Sequence, residues 1–169
     1  MTYFIWLLRI VHIVGGVFWA GGVFMMAFFI GPAVAATGDA GQKFVGYLVG
    51  QLKLSTRLSA AAGSTVLAGA ILYWIDSDGL SSAWTRSGAG TGFTIGALFG
   101  LAAFVLGILA GRAIRELGKL GAQTQGKPAP KQMAQIGALQ QRQTMLTKYT
   151  AYTLIASIIF MSVARYFIF

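Results

Sequence analysis

Four apolar stretches recur along these 169 residues, each at or beyond the roughly 20 residues that a helix needs to cross a bilayer. They cover about 3–34, 54–75, 92–117 and 146–167. In lipid every backbone N–H and C=O must find its partner within the segment, so stretches of this length are predicted to be helices. A transmembrane barrel would need shorter segments of alternating polarity, and none is present. Only 10% of the residues are charged, against about a quarter in a soluble domain. The chain therefore reads as all-α, a single-domain integral membrane four-helix bundle. The first span is expected to be broken near its end by Gly31-Pro32.

The polar runs between the spans carry most of the charge. Residues 35–53 contain Lys43 and Lys53, with Phe44, Tyr47, Leu48 and Leu52 at helical spacing, the pattern of a short interfacial helix. Residues 76–91 form a second loop holding Asp76, Asp78 and Arg86. Residues 118–145 are polar, with a turn at Gly126-Lys127-Pro128-Ala129-Pro130 and then a Gln-rich helical stretch. Loops one and three, with the adjoining helix ends, carry Lys43, Lys53, Arg57, Arg112, Arg115, Lys119, Lys127, Lys131, Arg142 and Lys148. The positive-inside rule then puts loops 35–53 and 118–145 in the cytoplasm and both termini outside. The net charge of +9 is explained by these membrane-flanking residues meeting anionic headgroups, and no nucleic-acid partner is implied. The first span has no basic leader and is too long for a cleaved signal, so it is expected to remain as a helix.

One histidine stands in the whole chain, His12, and it lies inside the first span. Ionisable residues at membrane depth are costly and are functional candidates by default. At 1.5 Å per residue His12 falls about 15 Å below the outer surface. Arg9, Gly15, Gly16 and Trp19 share its helix face by spacing. A ring nitrogen beside two residues without side chains suits a flat, large group, and haem b is the candidate. His12 would be the axial ligand, Gly15 and Gly16 a slot for the macrocycle, Trp19 an aromatic wall, and Arg9 and Arg165 the partners of the propionates. A second histidine within the chain is excluded, which leaves Met25, Met26, Met161, water or His12 of another copy as a sixth ligand. In the plainer alternative His12 bonds a carbonyl or hydroxyl, the arginines reach the headgroups, and Asp76 or Asp78 pairs with one of them.

Other chemistries find less in the sequence. With no cysteine, disulfides, thiolate metal sites, iron–sulfur clusters and covalently attached haem are ruled out. Methionine with histidine is able to hold Cu(I), but the methionines form no regular pair on one helix face. Proton conduction through His12 would need a relay, and Glu116, the only other candidate along the spans, sits among basic residues. Gly88-Ala89-Gly90-Thr91-Gly92 lacks the strand–helix setting of a nucleotide loop. Gly92, Gly96, Gly100, Gly107 and Gly111 form a small-residue stripe along span three. It is able to serve packing within the bundle, or contact with a second copy or a larger membrane complex.

The first span resembles that of a group of four-helix bacterial membrane proteins, the copper-resistance D domain family and the J-type protoporphyrinogen oxidases. The likeness rests on Tyr3 and Trp6, Arg9 three residues before His12, Trp19-Ala20-Gly21-Gly22 and Pro32, with Ala68-Gly69-Ala70-Ile71-Leu72-Tyr73 closing span two. It covers about 50 residues, and spans three and four match only in length and hydropathy. In place of the Leu-Pro-Arg of the oxidase branch, this chain reads Phe28-Phe29-Ile30-Gly31-Pro32-Ala33. The resemblance implies a four-helix bundle in a bacterial inner membrane and, in the oxidase branch, haem b on the position of His12 with oxidoreductase activity. Electron transfer or haem and porphyrin handling is the function expected. A non-enzymatic subunit or assembly factor of a larger complex is the alternative, with copper handling behind it.

Overall fold

The computed structural model describes residues 2–123 and 129–168, all-helical apart from short connections. The turn expected at 126–128 lies outside the described residues. Helix α1 (Thr2–Met25) passes through a π-helical turn, Met26–Ile30, into α2 (Gly31–Thr37). Helix α3 (Asp39–Gly50) folds back beside α2, and α4 (Leu54–Asp76) returns along α1. A short α5 (Ser82–Arg86) leads into the long α6 (Gly88–Gln123). Helix α7 (Pro130–Val163) runs back along α6 and ends in a 3₁₀ turn, Ala164–Tyr166.

Four of these helical runs are long and apolar enough to cross a membrane: Thr2–Thr37, Leu54–Asp76, Gly88–Gly121 and Pro130–Tyr166. This is the make-up of a multi-pass membrane protein. Their large side chains face outward, with Ile10, Ile13, Val14 and Val17 of α1 all more than half exposed. Apolar surface of this extent marks a membrane or protein contact.

The expected break at Gly31-Pro32 is a π turn instead. Pro32 has no N–H, and its ring clashes with the carbonyl four residues back in an ideal helix. The chain widens here, and the Gly31 N–H bonds the Met26 carbonyl five residues earlier. The helix therefore continues to Thr37. It reverses at Gly38, whose φ of +56° is open to glycine and poorly to other residues. Gly41 then allows α3 to lie against α2, since a Cβ there would fall 2.7 Å from Val34 Cα.

Inside, small residues let the helices close up. Trp19, Ala20 and Val23 of α1, with Ala27 of the π turn, meet Ala62, Ala103, Ala151 and Leu154 of the other three long helices. A second cluster, Leu8 with Ala68 and Leu72, joins α1 to α4 alone. The glycine stripe of span three divides. Gly92 sits against Ala164 of the 3₁₀ turn, Gly96 and Gly100 against Met161 and Ser157 of α7, and Ser157 donates to the Gly96 carbonyl at 2.8 Å. Gly107 has open space beside it, and Gly111 meets only Arg115 of its own helix.

Candidate functional site

Positions 8, 12, 15, 16, 19, 20 and 23 of α1, continued by 27 in the π turn, form one inward stripe at helical spacing, and His12 belongs to it. Its ring lies against α4. A Cβ on Gly69 would fall 2.7 Å from His12 Cε1 and 2.8 Å from Nδ1, so glycine at 69 makes room for the imidazole. His12 Nδ1 lies 2.8 Å from the Thr65 carbonyl. A carbonyl only accepts, so Nδ1 carries the proton, and in the neutral ring Nε2 keeps a lone pair. Nε2 has no hydrogen-bond partner among the described residues. This carbonyl bond, with the Arg9–Asp76 pair, is what the plainer alternative expects; it is also how metal-ligating histidines are oriented, one nitrogen anchored to a carbonyl and the other open.

The remaining predicted site residues are placed as follows. The space beside Gly15 and Gly16 is filled by α4: a Cβ on Gly15 would fall 2.7 Å from Thr65 Oγ1 and 3.3 Å from Ser64 Oγ, and one on Gly16 3.5 Å from Thr65 Cγ2. These glycines hold α1 and α4 together and leave no slot between them. Trp19 is buried and meets Phe104 of α6 edge-on, ring centroids 6.4 Å apart, one turn and more below His12. Arg9 lies at the edge of the stripe, its guanidinium 3.9 Å from the Asp76 carboxylate with both side chains nearly half exposed. Such a pair is worth under about 1 kcal/mol. Arg165 is exposed in the 3₁₀ turn. It lies at the same end of the bundle as Arg9, because Ala164 packs on Gly92 and α4 reaches that end through Tyr73 and Thr94. The methionines do not converge on His12: Met25 is half exposed, and Met161 packs at Gly96. No cluster of three or more histidine, aspartate or glutamate side chains occurs among the described residues.

For haem b, the donor therefore fits and the expected macrocycle slot does not. The tautomer of His12 suits axial ligation through Nε2. A macrocycle would have to approach on the Nε2 side of the ring, away from Gly15 and Gly16.

Two residues that sequence reasoning did not assign to the site now belong to it, Thr65 and Gly69. Thr65 is buried, and its hydroxyl has no hydrogen-bond partner among the described residues. An unsatisfied buried hydroxyl costs about 1–3 kcal/mol, and an apolar group of the same shape relieves it. Thr65→Val keeps the shape and the carbonyl that anchors His12. It is expected to unfold at the same temperature as the parent or higher in detergent. A clear loss of stability would mean that the hydroxyl meets a bound water or ligand beside His12.

Comparison with protein-family models, with curated proteins and with solved structures finds no match, so the likeness seen in the first span rests on its own residues.

Proposed function

We propose that this chain is a multi-pass protein of a bacterial inner membrane that holds haem b on His12 Nε2 and serves electron transfer or haem and porphyrin handling. One observation carries the reading: the hydrogen bond from His12 Nδ1 to the Thr65 carbonyl, which fixes the tautomer that a ligating imidazole needs. Gly69 supports it by giving the ring its seat on α4. Arg9 and Arg165 are the cations for the propionates, both at the His12 end of the bundle, and the loose contact of Arg9 with Asp76 leaves it able to exchange partners. When bound, haem would supply a one-electron couple at that depth. The chain's own contribution is to hold the imidazole, keep Nδ1 protonated and surround the donor with apolar side chains. The concentration of lysine and arginine at the opposite end supports a cytoplasmic position for loops 35–53 and 118–145, with both termini outside.

Protein purified in mild detergent is expected to show a Soret band at one haem per chain, lost in His12→Ala. A colourless, monodisperse parent protein overturns the proposal.

A second reading, a subunit or assembly factor of a larger membrane complex, is favoured by the length of α6 and α7. At 36 and 34 residues they measure about 50 Å, where a bilayer core needs about 30 Å. Their polar ends form a paired-helix stalk outside the apolar part, suited to docking. Purification of the full chain with a stoichiometric larger assembly, lost when the exposed charges of the stalk are reversed, is the result expected of that role.

A further inference from the structure

The hairpin of α2 and α3 encloses an open groove of about 390 Å³. Phe29, Ala33, Val34 and Thr37 form one wall, and Ala40 and Phe44 the other. The lining is apolar throughout. Its one hydroxyl, on Thr37, is already committed to the Ala33 carbonyl at 2.7 Å. Phe29 and Phe44 nevertheless stand 64% and 53% exposed, and Tyr47 one turn on stands 58% exposed. A groove of this kind offers nothing to a polar ligand and gains from a hydrocarbon chain.

Its position specifies which hydrocarbon. Helix α3 packs on α4, which begins at Leu54, so the hairpin lies where α4 enters the apolar zone. Lys43 is one residue before Phe44 and about 40° around the helix from Tyr47, which puts it on the rim of the groove face. Lys53 and Arg57 follow at the start of α4, and all three are exposed. None has a carboxylate partner among the described residues, where the ion pair found is that of Arg9 with Asp76. An apolar groove with the unpaired Lys43 on its rim, and with two further unpaired cations where the chain passes from α3 into α4, is complementary to a lipid with an acyl chain and an anionic head.

We propose that the α2–α3 hairpin is a binding site for an anionic phospholipid, with an acyl chain in the groove and the phosphate on Lys43, in the positive field to which Lys53 and Arg57 add. The site rests on insertion of the chain in a bilayer and is independent of the haem reading, so the Soret band tests neither it nor its failure.

The test is binding of dioleoyl phosphatidylglycerol to delipidated full-length protein in detergent, followed by native mass spectrometry beside dioleoyl phosphatidylcholine and glycerol 3-phosphate. Phosphatidylglycerol is expected to bind tightest and glycerol 3-phosphate not at all. Lys43→Gln should weaken phosphatidylglycerol binding about fivefold and leave phosphatidylcholine unchanged. Ala33→Trp, which fills the groove, should weaken both lipids. Lys43 is exposed, so its variant decides the matter even where Ala33→Trp does not fold. Equal affinity for the two phospholipids, no effect of Lys43→Gln, or binding of glycerol 3-phosphate as tight as that of the lipid would each overturn the site. A photo-crosslinking residue at Phe44 that captures a protein in cells instead of lipid would also overturn it.

Discussion

Gly69→Ala is expected to drive the His12 ring off α4. The new methyl would lie 2.7 Å from Cε1 and 2.8 Å from Nδ1, inside contact distance of a ring whose Nδ1 is held by the Thr65 carbonyl. Either the ring turns and loses that bond or the two helices part. Overpacking of this kind costs about 1–3 kcal/mol, and the broken hydrogen bond adds about 1 kcal/mol. Because His12 is the only histidine, its imidazole nitrogens can be followed by NMR without assignment. The parent should show a ring protonated and hydrogen-bonded at Nδ1, and the variant should lose that signature along with any Soret band. Gly63→Ala on the same helix, where a Cβ meets nothing within 4 Å, is the control and should leave both unchanged. An unaltered imidazole spectrum in Gly69→Ala would refute the seat described for His12.

A comparable loss of stability is expected at the start of α6, from Gly90→Ala. A Cβ there would land on the Trp84 carbonyl oxygen. That carbonyl has little freedom to retreat, since it accepts from both the N–H and the hydroxyl of Ser87, at 3.0 and 2.7 Å. The Trp84 indole is held in turn between Tyr73 and Phe93, at centroid distances of 5.1 and 6.4 Å. Relieving the clash means opening the corner between α5 and α6 and disturbing this aromatic stack, which ties α6 to α4. Gly107→Ala on the same helix has open space beside it and should gain up to about 1 kcal/mol from helix propensity. The two variants should therefore differ by about 3 kcal/mol in opposite senses from the parent. Thermal unfolding in one detergent, read by circular dichroism, measures this directly. Equal melting temperatures would show that the corner yields.

The four long helices were legible because apolar runs of bilayer length admit little else. Their ends were not. Helix α6 continues past Leu117 to Gln123, and α7 begins at Pro130, well before the apolar run that starts near Leu146. Hydropathy marks what touches lipid, whereas the pairing of α6 with α7 carries the backbone on through polar residues. At the candidate site, His12 was conspicuous from the cost of burying it, yet its partner was hidden. Every residue supplies a carbonyl, so nothing in the identity of Thr65 announces the one that His12 uses. Gly15 and Gly16 show the complementary difficulty. A missing side chain signals that something comes close, but only the fold says that it is α4. In the sequence Gly69 is one of several small residues closing span two, although its place four residues after Thr65 puts both on the face that receives His12.

The π turn at Met26–Ile30 sets the direction of everything that follows it in the first hairpin. One residue more than an α-turn holds shifts the phase of the downstream helix by about 100°. The inward stripe that runs from Leu8 to Ala27 is thereby interrupted, and Ala33, Val34 and Thr37 point at α3 and away from the bundle axis. Pro32, by forbidding the ordinary hydrogen bond, thus acts as a phase shifter. It lets a single unbroken helix serve two separate neighbourhoods, a packed interior around Trp19 and an apolar hairpin groove at the basic end.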